Sequence, residues 1–282
     1  MAKARCLCGA LTYELDVPFS GMIHCHCSMC RKHHGTGFAT FVVAPIASFR
    51  WTSGEDRLAR YHSSPGNVRS FCSLCGSAGP WPMPERGIVA APAAGFDGDL
   101  GIKPQRHLFA GSKAPWDDIT DGLKQFDAYP PGLGVQSVAR PAVTPRAGIT
   151  EGSCLCGEIG YEATGAPVRM MNCHCSRCRL GRGAAHATNI FYKLDQFRWV
   201  RGAALVSEYK VPDARFHTAA FCSRCGGKVP RPSAERGVVT VPAGSLDTDP
   251  GMRPQAHIFV ADKAPWFDIT GSLPQFPQMP PA

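Results

Sequence analysis

Short runs of alternating apolar and polar residues dominate the chain. Leu11, Tyr13 and Leu15 alternate with polar positions, and the segments FATFVV, GIVAAP and RHLFAG have the length and side-chain content of strands. Gly or Pro interrupts the pattern after roughly ten residues, as in folds built from short strands. The pattern predicts an all-β fold of short antiparallel strands, with at most one helical turn in each of the segments APWDDI and APWFDI.

The pattern occurs twice. Five cysteines recur 148 positions later and two more recur 150 positions later, so the fourteen cysteines form two sets of seven. CLCG, FCS-x-CG and KAPW also occur in both copies, and Trp51 matches Trp199. Repetition at this level indicates a tandem duplication.

The residues between the copies are rich in Pro and Gly and carry no periodic apolar pattern. They read YPPGLGVQSVARPAVTPRAG and are typical of a connecting segment. We therefore predict two zinc domains, residues 1–128 and 151–282, joined by a linker over residues 129–150.

Composition supports a globular protein that binds metal. Apolar residues make up 44% of the 282 positions and charged residues 18%, while 30 Gly and 25 Pro argue against long helices. No segment is apolar over the length of a bilayer, and no export signal is evident, so we expect a cytoplasmic protein without a membrane partner. In a reducing compartment, fourteen cysteines indicate metal ligands rather than disulfides.

The net charge gives little support to a nucleic-acid partner. It is formally +8 when every Cys is counted as neutral. Fourteen thiolates each subtract one charge and four Zn²⁺ ions each add two, which leaves +2.

Four cysteines of each copy have the spacing of a closed structural zinc site. A C-x-C pair and a distant C-x-x-C pair can bring four thiolates to one Zn²⁺. Gly76 and Gly226 follow the C-x-x-C pairs directly and allow a tight turn there. Buried free thiols are the alternative, which the paired spacing does not favour. The two predicted sets are Cys6, Cys8, Cys72 and Cys75, and Cys154, Cys156, Cys222 and Cys225.

The other three cysteines of each copy form C-x-C-x-x-C. Catalytic zinc keeps three protein ligands and leaves the fourth position to water or substrate. A thiol that binds there loses its proton. Three thiolates make the metal a weak Lewis acid, so the site favours thiol ligation over hydrolysis, and its zinc is expected to be labile. The two sets are Cys25, Cys27 and Cys30, and Cys173, Cys175 and Cys178.

Two other interpretations of these three-cysteine sets remain open. A histidine can close the site, although His26 and His174 lie between two ligands and would have to bend back to the same metal. More distant candidates are His62, His107, His217 and His257. A redox pair at Cys27 and Cys30 is the second interpretation, but the chain lacks the βαβ pattern that usually accompanies one.

The motifs CLCG, CHCSMCRK, FCSLCG and KAPW, followed by an Ile and a closing QF, resemble the family of glutathione-dependent formaldehyde-activating enzymes, which includes centromere protein V. The resemblance covers both copies. It implies zinc-stapled β-tent domains with a structural zinc on the outer four cysteines and a looser zinc on the inner three. The implied reaction joins formaldehyde to glutathione as S-(hydroxymethyl)glutathione, a carbon-sulfur lyase reaction in reverse.

On this resemblance the inner cysteines are catalytic, glutathione is the co-substrate and a small aldehyde is its partner. Arg31 and Arg179 follow the inner clusters and are candidates to bind a glutathione carboxylate. His186 replaces Phe38 in the second copy and is a candidate acid, base or zinc ligand, against the alternative of a core histidine. Trp116 and Trp266 are expected to pack in the core.

Two further function classes compete with the enzyme. One is a zinc-stapled binding module whose inner cysteines only brace the fold, and the other is a zinc storage or sensing protein. The duplication also suggests two copies that pack as an intramolecular pseudo-dimer.

Overall fold

The computed structural model describes residues 1–130 and 143–280, and residues 131–142 of the predicted linker lie outside that description. The first half consists of short strands and one helix. In chain order these are β1 (Ala2–Arg5), β2 (Thr12–Leu15), β3 (Gly21–Cys25), α1 (Ser28–His34), β4 (Ala39–Pro45), β5 (Phe49–Ser53), β6 (Leu58–Ser64), β7 (Asn67–Cys72), β8 (Trp81–Met83), β9 (Ile88–Pro92), β10 (Arg106–Leu108) and β11 (Lys124–Phe126).

The second half repeats this order and confirms the predicted all-β fold. Within the described ranges, no helix is both long and apolar enough to cross a membrane. The elements are β12 (Ile149–Ser153), β13 (Gly160–Thr164), β14 (Arg169–Cys173), α2 (Ser176–Arg182), β15 (Ala187–Lys193), β16 (Phe197–Arg201), β17 (Val206–Lys210), β18 (Thr218–Cys222), β19 (Arg231–Ser233), β20 (Val238–Pro242), β21 (His257–Ile258) and β22 (Gln275–Phe276).

Each half contains the same three sheets. The strand orders in the first half are β11-β10-β3-β4-β9-β8, β1-β2-β5 and β6-β7, and the second half has the equivalent orders. Most neighbours are antiparallel, as predicted. However, β10 lies parallel to β3 and β11, and β21 lies parallel to β14 and β22. These pairs are parallel because a long segment of chain, not a hairpin, connects β3 to β10 and β14 to β21.

Helix α1 begins immediately after β3 ends. Cys27 is the N-cap residue, and its Sγ accepts a hydrogen bond from the backbone N–H of Cys30. Gly35 ends the helix in the left-handed conformation with φ of +69°, where its N–H donates to the carbonyl of Arg31. The sequence interpretation missed this helix and its counterpart α2 because seven residues are too few to show an apolar period.

The two halves exchange tryptophans. Trp266 lies in the core of the first half with Leu15 and Met22. Trp116 lies in the core of the second half with Met170. Both indoles are 2% exposed, as expected for packing residues, but each fills the opposite half. Removal of such a side chain from water is a large part of the stability of a core this small.

Equivalent residues meet where the halves touch. The rings of Phe71 and Phe221 lie 6.3 Å apart, and the hydroxyls of Thr120 and Thr270 lie 2.6 Å apart. Contacts between a residue and its own counterpart occur where an approximate twofold axis passes between two copies. The halves therefore pack as a fused pair.

Two buried lysines join the halves without a counterpart in the other copy. Lys32 Nζ donates to the carbonyls of Ser153 and Ser245 and lies 2.7 Å from Asp247 Oδ1. Lys228 Nζ donates to the carbonyls of Gly76 and Gly226. Since the equivalent positions hold Leu180 and Ala78, the two halves are not interchangeable.

We predict that Lys32→Met lowers the free energy of unfolding by about 3 kcal/mol, because Asp247 and two buried carbonyls lose their partner. The matched control is Lys103→Met, which removes the Lys103–Asp268 pair between the halves, where both side chains are more than half exposed. That change should cost less than about 1 kcal/mol. Urea titration of the zinc-loaded protein measures both, and equal costs would contradict the role of Lys32.

Candidate metal centres and the pockets beside them

Four thiols from the ends of distant strands converge in each half. Cys6 and Cys8 follow β1, Cys72 ends β7, and Cys75 comes three residues later. Their Sγ atoms all lie within 4.8 Å of one another, with Cys6 to Cys8 at 3.4 Å and Cys8 to Cys72 at 3.7 Å. Tetrahedral zinc with 2.3 Å bonds would hold sulfurs about 3.8 Å apart. The second half repeats the set with Cys154, Cys156, Cys222 and Cys225.

The predicted glycine turns shape these four-thiol clusters. Gly76 has φ of +71° and donates its N–H to the carbonyl of Cys72, and Gly226 has φ of +67°. Backbone amides also point at the sulfurs, since the N–H of Leu11 donates to Cys6 Sγ at 3.3 Å. Such donors favour the ionised thiolate that a metal requires.

Three thiols converge where a strand ends and a helix begins. Cys25 is the last residue of β3, Cys27 caps α1, and Cys30 lies in its first turn. Their Sγ atoms lie within 4.8 Å of one another, as do those of Cys173, Cys175 and Cys178. All fourteen cysteines are free thiols. The three sulfurs fit three corners of a zinc tetrahedron.

Neither three-thiol cluster has a fourth metal-ligating side chain among residues 1–130 and 143–280. No further Cys, His, Asp or Glu in the described chain lies close enough to join either group. Residues 131–142 and 281–282 contain none of these four types. His26 turns away from the thiols, and its Nε2 lies 2.8 Å from Nδ1 of His107. His174 and His257 form the same contact in the second half, also at 2.8 Å.

The thiols of a cluster cannot all ionise without a cation. Hydrogen bonds from Cys25 and Cys30 lower the pKa of Cys27, whereas bonds with Cys27 and Cys30, followed by burial, raise the pKa of Cys25. Adjacent negative charges oppose one another in a buried site. A divalent cation would remove this conflict, so the donor set fits zinc.

An arginine lies beside each three-thiol cluster, buried in the first half and partly buried in the second, and it comes from a different element in each half. Arg69 of β7 lies near the first cluster. Burial lowers the pKa of Arg69, but the thiolates of Cys30, Cys27 and Cys25 outweigh this effect and raise it. Its equivalent in the second half is Ala219.

In the second half Arg182 of α2 supplies the charge. Burial lowers the pKa of Arg182 to about 10, against the opposing effect of Cys178 and Cys173, so it stays charged at neutral pH. The first half has His34 at that position. The substitutions at these two positions compensate, and each cluster keeps one adjacent positive charge. This arrangement was not predicted from the sequence, because it depends on two different substitutions between the copies, Arg69 to Ala219 and His34 to Arg182, at positions far apart in the chain.

The surroundings of the two clusters differ. In the second half a cavity of about 480 Å³ opens onto Cys173, Cys175 and Cys178 and is lined by Phe259 and Met279. Its arginines are Arg177, Arg182, Arg215, Arg231 and Arg236. In the first half Tyr129 packs edge-on against Phe109 with ring centroids 4.8 Å apart. Burial, followed by the thiolates of Cys25, Cys30 and Cys27, raises the pKa of Tyr129 to about 12.

A second cavity, of about 240 Å³, lies between the halves and is lined by histidines from both. On the first-half side Asp121, His107 and His26 form a hydrogen-bonded row, with Oδ1 to Nε2 at 2.9 Å and Nδ1 to Nε2 at 2.8 Å. Asp117 Oδ2 lies 3.3 Å from His26 Nδ1. The second half has Gly271 and Phe267 at the positions of the two aspartates, so its histidine pair lacks carboxylates.

Comparison with known proteins identifies the family of this chain. The family model described as glutathione-dependent formaldehyde-activating enzyme matches residues 1–112 and 149–262. The chain belongs to this family. A candidate glutathione-dependent formaldehyde-activating enzyme of Halomonas elongata is 30% identical over 145 residues, which are 46% of this chain and 89% of that protein. A Rhodobacter sphaeroides protein of known crystal structure is 24% identical, with a TM-score of 0.30, over 34% of this chain and 89% of that chain.

In this formaldehyde-activating family member the predicted arginines take a local role. Arg31 Nε donates to the carbonyl of His26 at 3.2 Å, and Arg179 Nε does the same to His174. Both therefore hold the bend that carries the inner thiols. Contact of either arginine with a substrate carboxylate stays a prediction.

His186 lies away from the second thiol cluster of this family member. Its ring faces Phe38 across the boundary between the halves, with centroids 5.4 Å apart, and its Nδ1 lies 3.3 Å from the Thr188 hydroxyl. It lines the cavity between the halves and is 4% exposed. The structure does not place it among the ligands of Cys173, and its catalytic role stays a prediction.

We predict that Gly76→Ala destabilises the protein by about 2 to 3 kcal/mol, because a Cβ there would strain the positive φ and clash with the Phe221 ring. Gly66→Ala is the matched control. Gly66 has φ of +70°, and a Cβ added there would have no heavy atom within 4 Å, so only about 1 kcal/mol should be lost. Denaturant titration measures both, and a Gly76 variant no worse than the control would refute the turn's role.

Proposed function

We propose that the chain is a zinc-dependent enzyme that joins a small aldehyde to a thiol such as glutathione, and that the three-thiol clusters are its active sites. The observation that carries this proposal is that no fourth Cys, His, Asp or Glu of the described residues joins either cluster. A purely structural site would be expected to close with four, as the outer clusters do. A cytoplasmic location, where these thiols stay reduced, belongs to the same proposal.

Zinc bound by the three thiolates would supply a fourth coordination position at which an incoming thiol loses its proton. The protein itself would hold the three thiolates in place and leave the fourth coordination position free for the substrate. The N–H of Cys30 donates to Cys27 Sγ at 3.4 Å, and Arg31 holds the preceding bend. These contacts fix the positions of the thiolates before a substrate arrives, which lowers the cost of binding.

The arginines beside the clusters favour the reactive form of the substrate. Three protein thiolates and one substrate thiolate place several negative charges together, and Arg69 or Arg182 lies near enough to stabilise them. In the reaction the substrate sulfur donates an electron pair to the aldehyde carbon and forms the carbon–sulfur bond. The carbonyl electron pair moves to oxygen, which takes up the proton that the thiol released.

Apolar side chains lie beside both clusters, where they would lower the local dielectric constant. Phe109 and Tyr129 pack together near the first cluster, and Phe259 lines the cavity of the second. A dry site strengthens the attraction between the arginine and the sulfur anion. A site with little water would also protect the product, because its hydroxymethyl group would otherwise be lost readily to bulk water.

We predict four zinc ions per chain, with the two at the inner clusters removed first by a mild chelator. The inner sites have one protein ligand fewer than the outer sites, so they should release metal while the outer sites hold the fold. Metal analysis together with far-ultraviolet circular dichroism during chelation checks this. Release of all four ions in one step, together with unfolding, would favour inner clusters that only brace the structure.

We predict that glutathione increases the thiolate-to-cobalt absorption of the cobalt-substituted protein, because a fourth sulfur joins the inner clusters. The control is the double variant Cys27→Ser and Cys175→Ser, which should remain folded and lose the increase. Unchanged absorption in the native protein would refute thiol binding. Unfolding of the double variant would instead support a zinc-stapled binding module.

A further inference from the structure

The pocket beside the second three-thiol cluster is much more cationic than its counterpart. Only Arg236 has an arginine, Arg86, at the equivalent position of the first half. Arg177, Arg182 and Arg231 are matched there by the less basic Met29, His34 and Trp81. Asp262 is the one carboxylate among the described residues that line the cavity.

A longer loop builds one wall of this pocket. Residues 211–217 connect β17 to β18, whereas residues 65–66 make the equivalent connection in the first half. The loop carries Arg215 and Phe216. It folds back on itself through a hydrogen bond from the N–H of Val211 to the carbonyl of His217 at 3.1 Å. The extra residues therefore add a cation and an aromatic ring to the pocket.

Aromatic rings contact two of the five pocket arginines, Arg215 and Arg236. The Cζ of Arg215 lies 4.7 Å from the centroid of the Phe216 ring, and that of Arg236 lies 5.4 Å from it. Phe191 in turn carries Arg169 at 4.9 Å and Arg236 at 6.0 Å. Stacking on aromatic faces orients arginines while leaving their N–H groups directed outward.

None of the five pocket arginines forms an ion pair with a carboxylate among the described residues. No carboxylate oxygen in the described chain lies within 4.0 Å of Arg177, Arg182, Arg215, Arg231 or Arg236. Arg231 Nε is buried and has no hydrogen-bond partner. Burial, followed by repulsion from Arg169 and Arg231, lowers the pKa of Arg236. Like charges packed in this way cost free energy unless an anion binds between them.

We propose that the second half accepts a polyanionic thiol, whose sulfur reaches the three-thiol cluster while its phosphate or carboxylate groups bind the pocket arginines. These arginines, called the arginine row, are Arg177, Arg182, Arg215, Arg231 and Arg236. This inference rests on the proposed function. The volume of about 480 Å³ is ample for an extended thiol compound. The first half, where Trp81 and Met29 replace arginines, lacks this preference. The duplication therefore gave one chain two thiol sites of different charge selectivity.

The test uses the full chain with Cys27→Ser, so that cobalt reports thiol binding at the second inner cluster. 4′-Phosphopantetheine and pantetheine share the thiol arm and differ by one phosphate. We expect the phosphorylated thiol to bind about tenfold more tightly at low ionic strength, with the ratio falling as salt is added. Glutathione, whose anionic groups are two carboxylates, should bind with an affinity between those of the two pantetheine compounds. Arg231→Met and Arg236→Met should each reduce the ratio without weakening pantetheine.

The matched control isolates the first half with Cys175→Ser. There the two thiols should bind equally, and Arg86→Met, the counterpart of Arg236→Met, should change nothing. Equal binding of both thiols at the second cluster, with a cobalt response to each, would overturn this inference and leave the proposed function intact. No cobalt response to any thiol would overturn the proposed function itself.

Two further results would also overturn the inference. If inorganic phosphate fails to compete with 4′-phosphopantetheine, the phosphate does not bind the arginine row. If a single-stranded oligonucleotide displaces 4′-phosphopantetheine at lower concentration than phosphate does, the row is a nucleic-acid surface rather than a pocket for a small thiol.

Discussion

The convergence of three thiols at a strand-to-helix junction is the constraint on which the rest depends. Strand β3 ends on Cys25, and α1 starts at a cap made by Cys27 itself, so Cys30 comes back toward the strand within one helical turn. The alternation of side chains along the strand turns His26 away to His107. The motif therefore gathers three sulfurs and directs its own histidine elsewhere.

Neither half is complete alone, because each core contains a tryptophan from the other. Fusion of the copies makes this exchange intramolecular and removes the concentration dependence of a homodimer. It also frees the two sites to diverge. The positive charge beside the thiols comes from Arg69 on β7 in the first half and from Arg182 on α2 in the second. Buried Lys32 and Lys228 make the boundary between the halves asymmetric as well.

Local patterns carried most of what the sequence could predict. Alternation around Tyr13 gave the strands, and the repeated cysteine spacing gave the two kinds of metal cluster. Features that depend on contacts between distant residues were not predictable. They include the parallel placement of β10, the exchange of Trp116 and Trp266, and the pairing of His26 with His107. Helix α1 also escaped detection, since its cap is a cysteine rather than one of the usual capping residues.

Zinc X-ray absorption of the fully loaded protein, with and without glutathione, tests the open three-thiol site most directly. Open three-thiol sites should give an average of fewer than four sulfurs around each zinc in the free protein, with oxygen making up the remainder. Addition of glutathione should raise the average to four sulfurs. Four protein ligands at every zinc before any thiol is added, whether the fourth is sulfur or nitrogen, would rule out open sites.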